Sequence, residues 1–175
     1  MKNKKNMNRF RTSHYPIARI GDRMYCYVEE MGVIIGNYPD LSSLGFEDMG
    51  NYFKRSVDEQ EIESAYRVYE NYTIYKGTQV RVGEYKKDTG EIFIMFDDEV
   101  AGKEAGIEPR IDYNDKCYHY YEAYVPESEL MDIYEVRKPV KGFTFVSPEI
   151  VYHKKDGVWL PWHDLGTPLK EGEWI

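Results

Sequence analysis

Cysteine is scarce in this chain of 175 residues: Cys26 and Cys117, about ninety positions apart, are the two it has. No CxxC pair occurs, which excludes the zinc-ribbon and thioredoxin spacings. Glycine-rich phosphate loops are missing too. Neither GxGxxG nor GxxxxGK[ST] can be found, and there is no GxSxG nucleophile elbow. The opening MKNKKNMNRF is basic but leads into no apolar stretch of the kind a secretory leader needs. No run approaches the ~18 apolar residues of a membrane span. These absences set the expectation of a cytoplasmic protein with reduced, mostly buried thiols and no membrane association, and of a chain that needs no cofactor.

Tyrosine is abundant, at 17 residues, within a chain that is 42% hydrophobic and 31% charged. Tyrosine packs as an aromatic yet carries a polar tip, so it suits half-buried sheets and interfaces. The net charge of −8 is unevenly spread. Residues 1–23 hold seven bases and one acid, a balance of +6, while residues 88–135 hold fourteen acids and three bases, a balance of −11. An acidic body repels phosphate, which argues against direct nucleic-acid binding through it. The same field attracts a basic protein partner and speeds its association. Length supports a single domain. The polar, lysine- and asparagine-rich residues 1–12 read as a disordered basic arm, and residues 13–175 as one mainly-β domain.

Alternating, aromatic-rich segments predict strands at 23–30, 32–38, 72–77, 78–86, 91–96, 116–125, 131–140 and 142–147, with a hairpin turning at 155–157. Residues 91–96 are apolar on both faces, which places them centrally in a sheet. The stretch SVDEQEIESAYRVYENY carries Ser56 with Glu59 three residues on, a capping-box spacing. Ile62, Ala65, Tyr66 and Tyr69 follow the i, i+3, i+4, i+7 pattern of one helix face. One prominent helix is therefore expected over 57–70, with Arg67 reaching Glu63 and Glu70. Residues 98–110 read as a polar glycine-containing loop. The fold class that results is α+β: a mainly antiparallel sheet of eight to ten strands with that one helix. Segment 75–96 resembles the opening hairpin of a small SH3-like, partly open barrel.

Chemistry-bearing residues are thinly spread. Cys117 and His119 lie two apart on one strand face, a spacing that can hold two ligands of a metal or a nucleophile–base pair. His153 and His163 fall on two strands of a hairpin. Neither pair completes a site, so no metal is expected. Acid pairs such as Asp97 and Asp98 or Glu127 and Glu129 can do general acid–base work, but on so acidic a surface they are more simply solvated charges. WLPWHD places two tryptophans around a proline, which suits anchoring of a terminal hairpin in the core better than a stacking platform.

The segment KCYHYYEAYVPESEL concentrates four tyrosines within seven positions. If Cys117, His119, Tyr121, Ala123 and Val125 face the core, then Tyr118, Tyr120, Glu122 and Tyr124 face outward as an aromatic stripe. Asp97, Asp98 and Glu99 on one side and Glu127 and Glu129 on the other supply flanking charge. Large aromatics with satisfiable polar tips are favoured at interfaces. In size, acidity, tyrosine content and lack of a catalytic signature, the chain resembles the cognate immunity proteins that neutralise bacterial polymorphic toxins. That resemblance implies a cytoplasmic inhibitor, not an enzyme. It would block the basic active site of a toxin domain through Tyr118, Tyr120, Glu122, Tyr124 and the surrounding acids. For a nuclease toxin, the acids would stand in for substrate phosphates. Two other classes stay open: an enzyme of unfamiliar type built on Cys117 and His119 or an acid pair, and a phage-derived adaptor whose basic arm binds nucleic acid or an acidic partner.

Overall fold

A computed structural model describes residues 15–114 and 118–160, together with the backbone of 163–164 and 167–168. The arm expected at 1–12 lies outside the described residues. The chain forms two compact units, the first from residues 15–69 and Arg137–Val151 and the second from Glu70–Val136 and Tyr152–Leu160.

The first unit is an antiparallel sheet. Strand β1 (Ile17–Ile20) pairs with β2 (Arg23–Val28) through a tight turn, and β2 pairs with β3 (Val33–Gly36). Beyond β3 lie β5 (Phe53–Ser56) and the short β4 (Glu47–Asp48). On the other side, β1 pairs with the start of the long β6 (Ser64–Tyr75). Aromatics turn inward here. Tyr25, Tyr27 and Phe46 are buried with Ile34 and Leu41, and Tyr66 is buried with Met24 and Val68. Tyr25 stacks on Phe46 with ring centres 5.6 Å apart.

The second unit continues along β6 into β7 (Thr78–Lys86) and β8 (Glu91–Phe96), the hairpin expected from the sequence. A short helix, α1 (Glu99–Glu104), then leads to β9 (Arg110–Asp112), β10 (Tyr118–Pro126) and β11 (Ile133–Pro139), followed by β12 (Ile150–Lys155) and β13 (Val158–Trp159). The order is β6-β7-β8-β10-β9, with β11 beside β6 and β12 beside β11. As expected, β8 is central. Its inward residues Ile92, Ile94 and Phe96 pack with Val80, Val82, Tyr121, Val125, Leu130 and Ile133. Within the second unit the strand path runs open, from β12 through β11, β6, β7, β8 and β10 to β9, and is not closed into a barrel.

The mainly antiparallel architecture matches the expectation, but the helix expected over 57–70 does not form, and its second half, from Ser64, is strand. Only Glu59–Glu61 make a single 3-10 turn, and a capping box does start it: Asp58 accepts from Gln60 N at 3.0 Å while Glu61 accepts from Asp58 N at 2.9 Å. The box is therefore Asp58 with Glu61 rather than Ser56 with Glu59. From Ser64 the chain is rich in Tyr, Val and Thr, which fit a pleated surface. The helical period arose because the strand changes phase. Tyr66 and Val68 point inward, Tyr69 and Glu70 are both turned out, and Asn71, Thr73 and Tyr75 then point inward. A strand whose inward parity switches midway loses its period of two. Arg67 pairs with Glu29 across the sheet. Residues 142–147 form no strand.

The helix lies instead at Glu99–Glu104, inside the segment read as a loop. Asp98 caps it, accepting from Val100 N at 2.7 Å and Ala101 N at 3.1 Å. Gly102 in its middle masked it, since glycine lowers helix propensity by about 1 kcal/mol relative to alanine. That glycine is required by packing: an added Cβ would lie 2.5 Å from Cβ of Tyr121.

Candidate functional site

Residues of β10 alternate between two environments. Tyr121 and Val125 are buried in the core, and Ala123 packs against it. Tyr118, Tyr120, Glu122 and Tyr124 take the other face, with Tyr118 58% and Tyr124 39% exposed. His119 departs from the expected inward set: it is exposed, since α1 and the turn after it stop short of closing over that end of the strand. Cys117 lies outside the described residues.

Strand register extends this outward face well beyond β10. Glu122 stands opposite Met95, Met95 opposite Arg81, and Arg81 opposite Tyr72. From Tyr72 the row continues to Tyr134 at 6.1 Å and to Tyr152 at a further 5.6 Å between ring centres. A second row holds Tyr124 against Phe93 at 5.3 Å. The ring of Phe93 lies over Gly83, where an added Cβ would come within 2.8 Å. Six strands thus contribute to one aromatic face, and none of its rings belongs to the inward core cluster.

Cations of the same chain sit on these rings. Lys86 Nζ lies 3.4 Å from the centre of Tyr124, Arg110 Cζ 4.6 Å from Tyr120, and Lys155 Nζ 4.5 Å from Tyr152. Such contacts are worth about 0.5–1 kcal/mol at exposed sites. The Tyr124 hydroxyl donates to Glu84 Oε2 at 2.7 Å, and this carboxylate pushes the phenol up to about 12. Glu70, beside Tyr72 on β6, is held above the usual carboxyl range by burial.

The expected acids are placed unevenly. Glu122 lies within the stripe and pairs with Arg110. Asp97 accepts from Arg81 at 2.6 Å. Asp98 is spent on the α1 cap. Glu99 pairs with Lys103 at 2.5 Å and accepts from the Tyr121 hydroxyl at 3.4 Å; the lysine holds its carboxyl below the ordinary range. Glu127 and Glu129 belong to the far end of β10 and turn elsewhere. Glu127 Oε2 accepts from Trp159 Nε1 at 2.8 Å, and its carbonyl accepts from Lys154 at 2.6 Å. Burial, and then the neighbouring Glu129 carboxylate, hold the phenol of the buried Tyr75 above its ordinary range. Asp97 and Glu99 instead meet Arg81, Met95, Tyr118, His119 and Tyr120 around a cleft of about 430 Å³ at the head of β10. A neighbouring hollow of about 390 Å³ shares Glu99, His119 and Tyr121 with it and is completed by Lys103 and residues 106–109.

Sequence reasoning located the β10 stripe but missed Tyr72, Tyr134, Tyr152, Phe93 and Met95. The available signal was β8, apolar on both faces; the cross-strand register that joins the rows was not readable. A buried polar group was missed as well. His153 is turned into the unit, its Nε2 3.2 Å from both Asn71 Oδ1 and Glu135 Oε2, with Asn71 and Glu135 fully buried. The side chain of His163, its expected partner, lies outside the described residues. Among the described residues no three of His, Cys, Asp and Glu gather as a metal site, and no helix is long and apolar enough to cross a membrane. Comparison with protein-family models, with curated proteins and with solved structures returns no match.

Proposed function

We propose that this protein acts by binding another protein, and that the outward face of the second unit's sheet is the surface that does so. The observation that carries this reading is the aromatic row itself. Tyr152, Tyr134, Tyr72, Met95, Glu122 and Tyr120 follow one another across the strands on the face away from the core, with Tyr118, Tyr124 and Phe93 alongside. An ordinary solvated sheet face would alternate to small polar residues. Large rings anchored by hydrogen bonds and cations lose little freedom on binding, which is what hot-spot residues require.

The net charge of −11 over residues 88–135 makes the partner basic. The best fit to these properties is an immunity protein in the cytoplasm of a bacterium, covering the active site of a cognate toxin domain. Tyr118, Tyr120, Tyr124 and Tyr72 supply contact energy, and Asp97, Asp98, Glu99 and Glu122 supply the field.

Tagged protein used as bait in its native host should retain one basic protein. Against that partner, Tyr120→Ala and Tyr72→Ala should each speed dissociation by roughly thirtyfold, about 2 kcal/mol. Reversing Asp97, Asp98 and Glu99 together should mainly slow association, and wild-type association should fall with salt. A complex indifferent to both tyrosines and to salt would move the interface off this face.

A further inference from the structure

We infer that the cleft at the head of β10 receives a single arginine side chain of the partner. This rests on the reading that the outward face binds a basic protein, and it names the contact at its centre. Two carboxylates, Asp97 and Glu99, line the cleft with the Arg81 guanidinium, and each already holds one cation of the chain, Arg81 on Asp97 and Lys103 on Glu99. Both acids are well exposed, at 62% and 55% of their side chains. A carboxylate offers about four acceptor positions. Asp97 can therefore keep its 2.6 Å bond to Arg81 and still accept from an incoming donor.

The walls are aromatic. Tyr118 and Tyr120 stand with ring centres 4.9 Å apart, and Tyr118 is 58% exposed. A planar guanidinium stacks on such a ring and delivers a fixed fork of donors to a carboxylate, which an ammonium does not. The chain itself performs this chemistry nearby. Arg110 lies over Tyr120 at 4.6 Å while pairing with Glu122, and Arg81 pairs with Asp97 while donating to the Met95 sulfur at 3.1 Å. Tyr118 and the acceptor positions that Asp97 and Glu99 keep beyond their bonds to Arg81 and Lys103 line the same cleft, open to a group from outside.

The test uses the full chain and a tetra-arginine peptide, followed by NMR of the side chains. Saturable shifts are expected at Tyr118, His119 and Tyr120. A tetra-citrulline peptide, equal in shape but uncharged, should produce none, and tetra-lysine should bind several-fold more weakly. The double variant Asp97→Asn, Glu99→Gln should weaken the arginine peptide about tenfold or more, the loss of a charge-assisted hydrogen bond. Shifts scattered over the acidic surface, or equal binding by the double variant, would overturn the cleft. In that event a natural partner still released by Tyr72→Ala would leave the interface reading standing. Peptide seated at Tyr118 in a protein whose partner ignores the outward face would retire the interface, and with it the assignment of the cleft to an arginine of the partner.

Discussion

Tyr66 of β6 and Tyr118 of β10 show how differently the two units use the same residue. In the first unit, Tyr25, Tyr27 and Tyr66 are at most 5% exposed and form the core. Tyr66 even carries a buried cation, with Arg137 Cζ 4.3 Å from its ring centre and Arg137 itself 3% exposed. In the second unit, the inward positions are mostly aliphatic, while Tyr118, Tyr120, Tyr124, Tyr72, Tyr134 and Tyr152 gather on the opposite face. Tyrosine content alone therefore says nothing about role. A ring that fills a core contributes burial, whereas a ring held outward by a carboxylate or a cation contributes a prepared surface.

The largest test of this contrast is stability. Tyr66→Ala should cost about 3–5 kcal/mol, the range for removing a buried aromatic, and it also strips Arg137 of its ring. Tyr118→Ala should stay within about 0.5 kcal/mol, as exposed substitutions do. Urea unfolding followed by circular dichroism gives both numbers. Equal losses would mean that the outward rings are structural, and the distinction between the two uses would collapse.

A smaller effect separates the two faces of the second unit. Gly102→Ala drives a methyl to 2.5 Å from Cβ of Tyr121 on the inward side, where a backbone-fixed atom cannot step aside. Overpacking of about 1–3 kcal/mol should outweigh the helix-propensity gain of about 1 kcal/mol. Gly83→Ala meets the ring edge of Phe93, 2.8 Å away on the outward side, and Phe93 is only half-buried. That ring can rotate, so the loss should be under about 1 kcal/mol. Thermal melts of the two variants rank the faces. A larger loss from Gly83→Ala would show the outward face to be the more tightly packed.

How much of this could be read beforehand follows the same physics. Strands β2, β8 and β10 were legible because each keeps one parity and is bounded by turn residues, and β7 because Val80 and Val82 alternate ahead of the register shift that precedes Tyr85. In β6 the inward set shifts from Tyr66 and Val68 to Asn71, Thr73 and Tyr75, and two of the later three are polar. A phase change together with buried polar residues erased the alternation and imitated a helix. In α1 one glycine, dictated by Tyr121 from another strand, hid six helical residues. The β10 stripe was visible as a local alternation. Its continuation through Met95, Arg81, Tyr72, Tyr134 and Tyr152 depends on which strands are neighbours, and residues so far apart in sequence carry no local trace of that.

The finest contrast concerns why a phenol resists ionisation. In the first unit Tyr25 and Tyr27 are raised chiefly by burial. Tyr124, 39% exposed, is raised to about 12 chiefly by its hydrogen bond to Glu84, with burial a lesser cause. Unfolded tyrosine ionises near ~10. The folded value is the higher one, so the stabilisation from this bond is complete below pH ~10 and is lost as pH rises through about 12. Solvent screening at so exposed a site limits it to about 1 kcal/mol or less. Glu84→Gln removes the charge and keeps the size, so Tyr124 should fall back toward ~10 while Tyr25 and Tyr27 stay where burial holds them. Carbon-13 NMR of the phenolic carbons between pH 9 and 12.5 resolves the residues separately, with Tyr124→Phe assigning the signal. If Tyr124 keeps its high value without Glu84, burial is the cause on both faces. The outward tyrosines would then be desolvated as the core ones are, and the claim that they are held ready by polar partners would have to be given up.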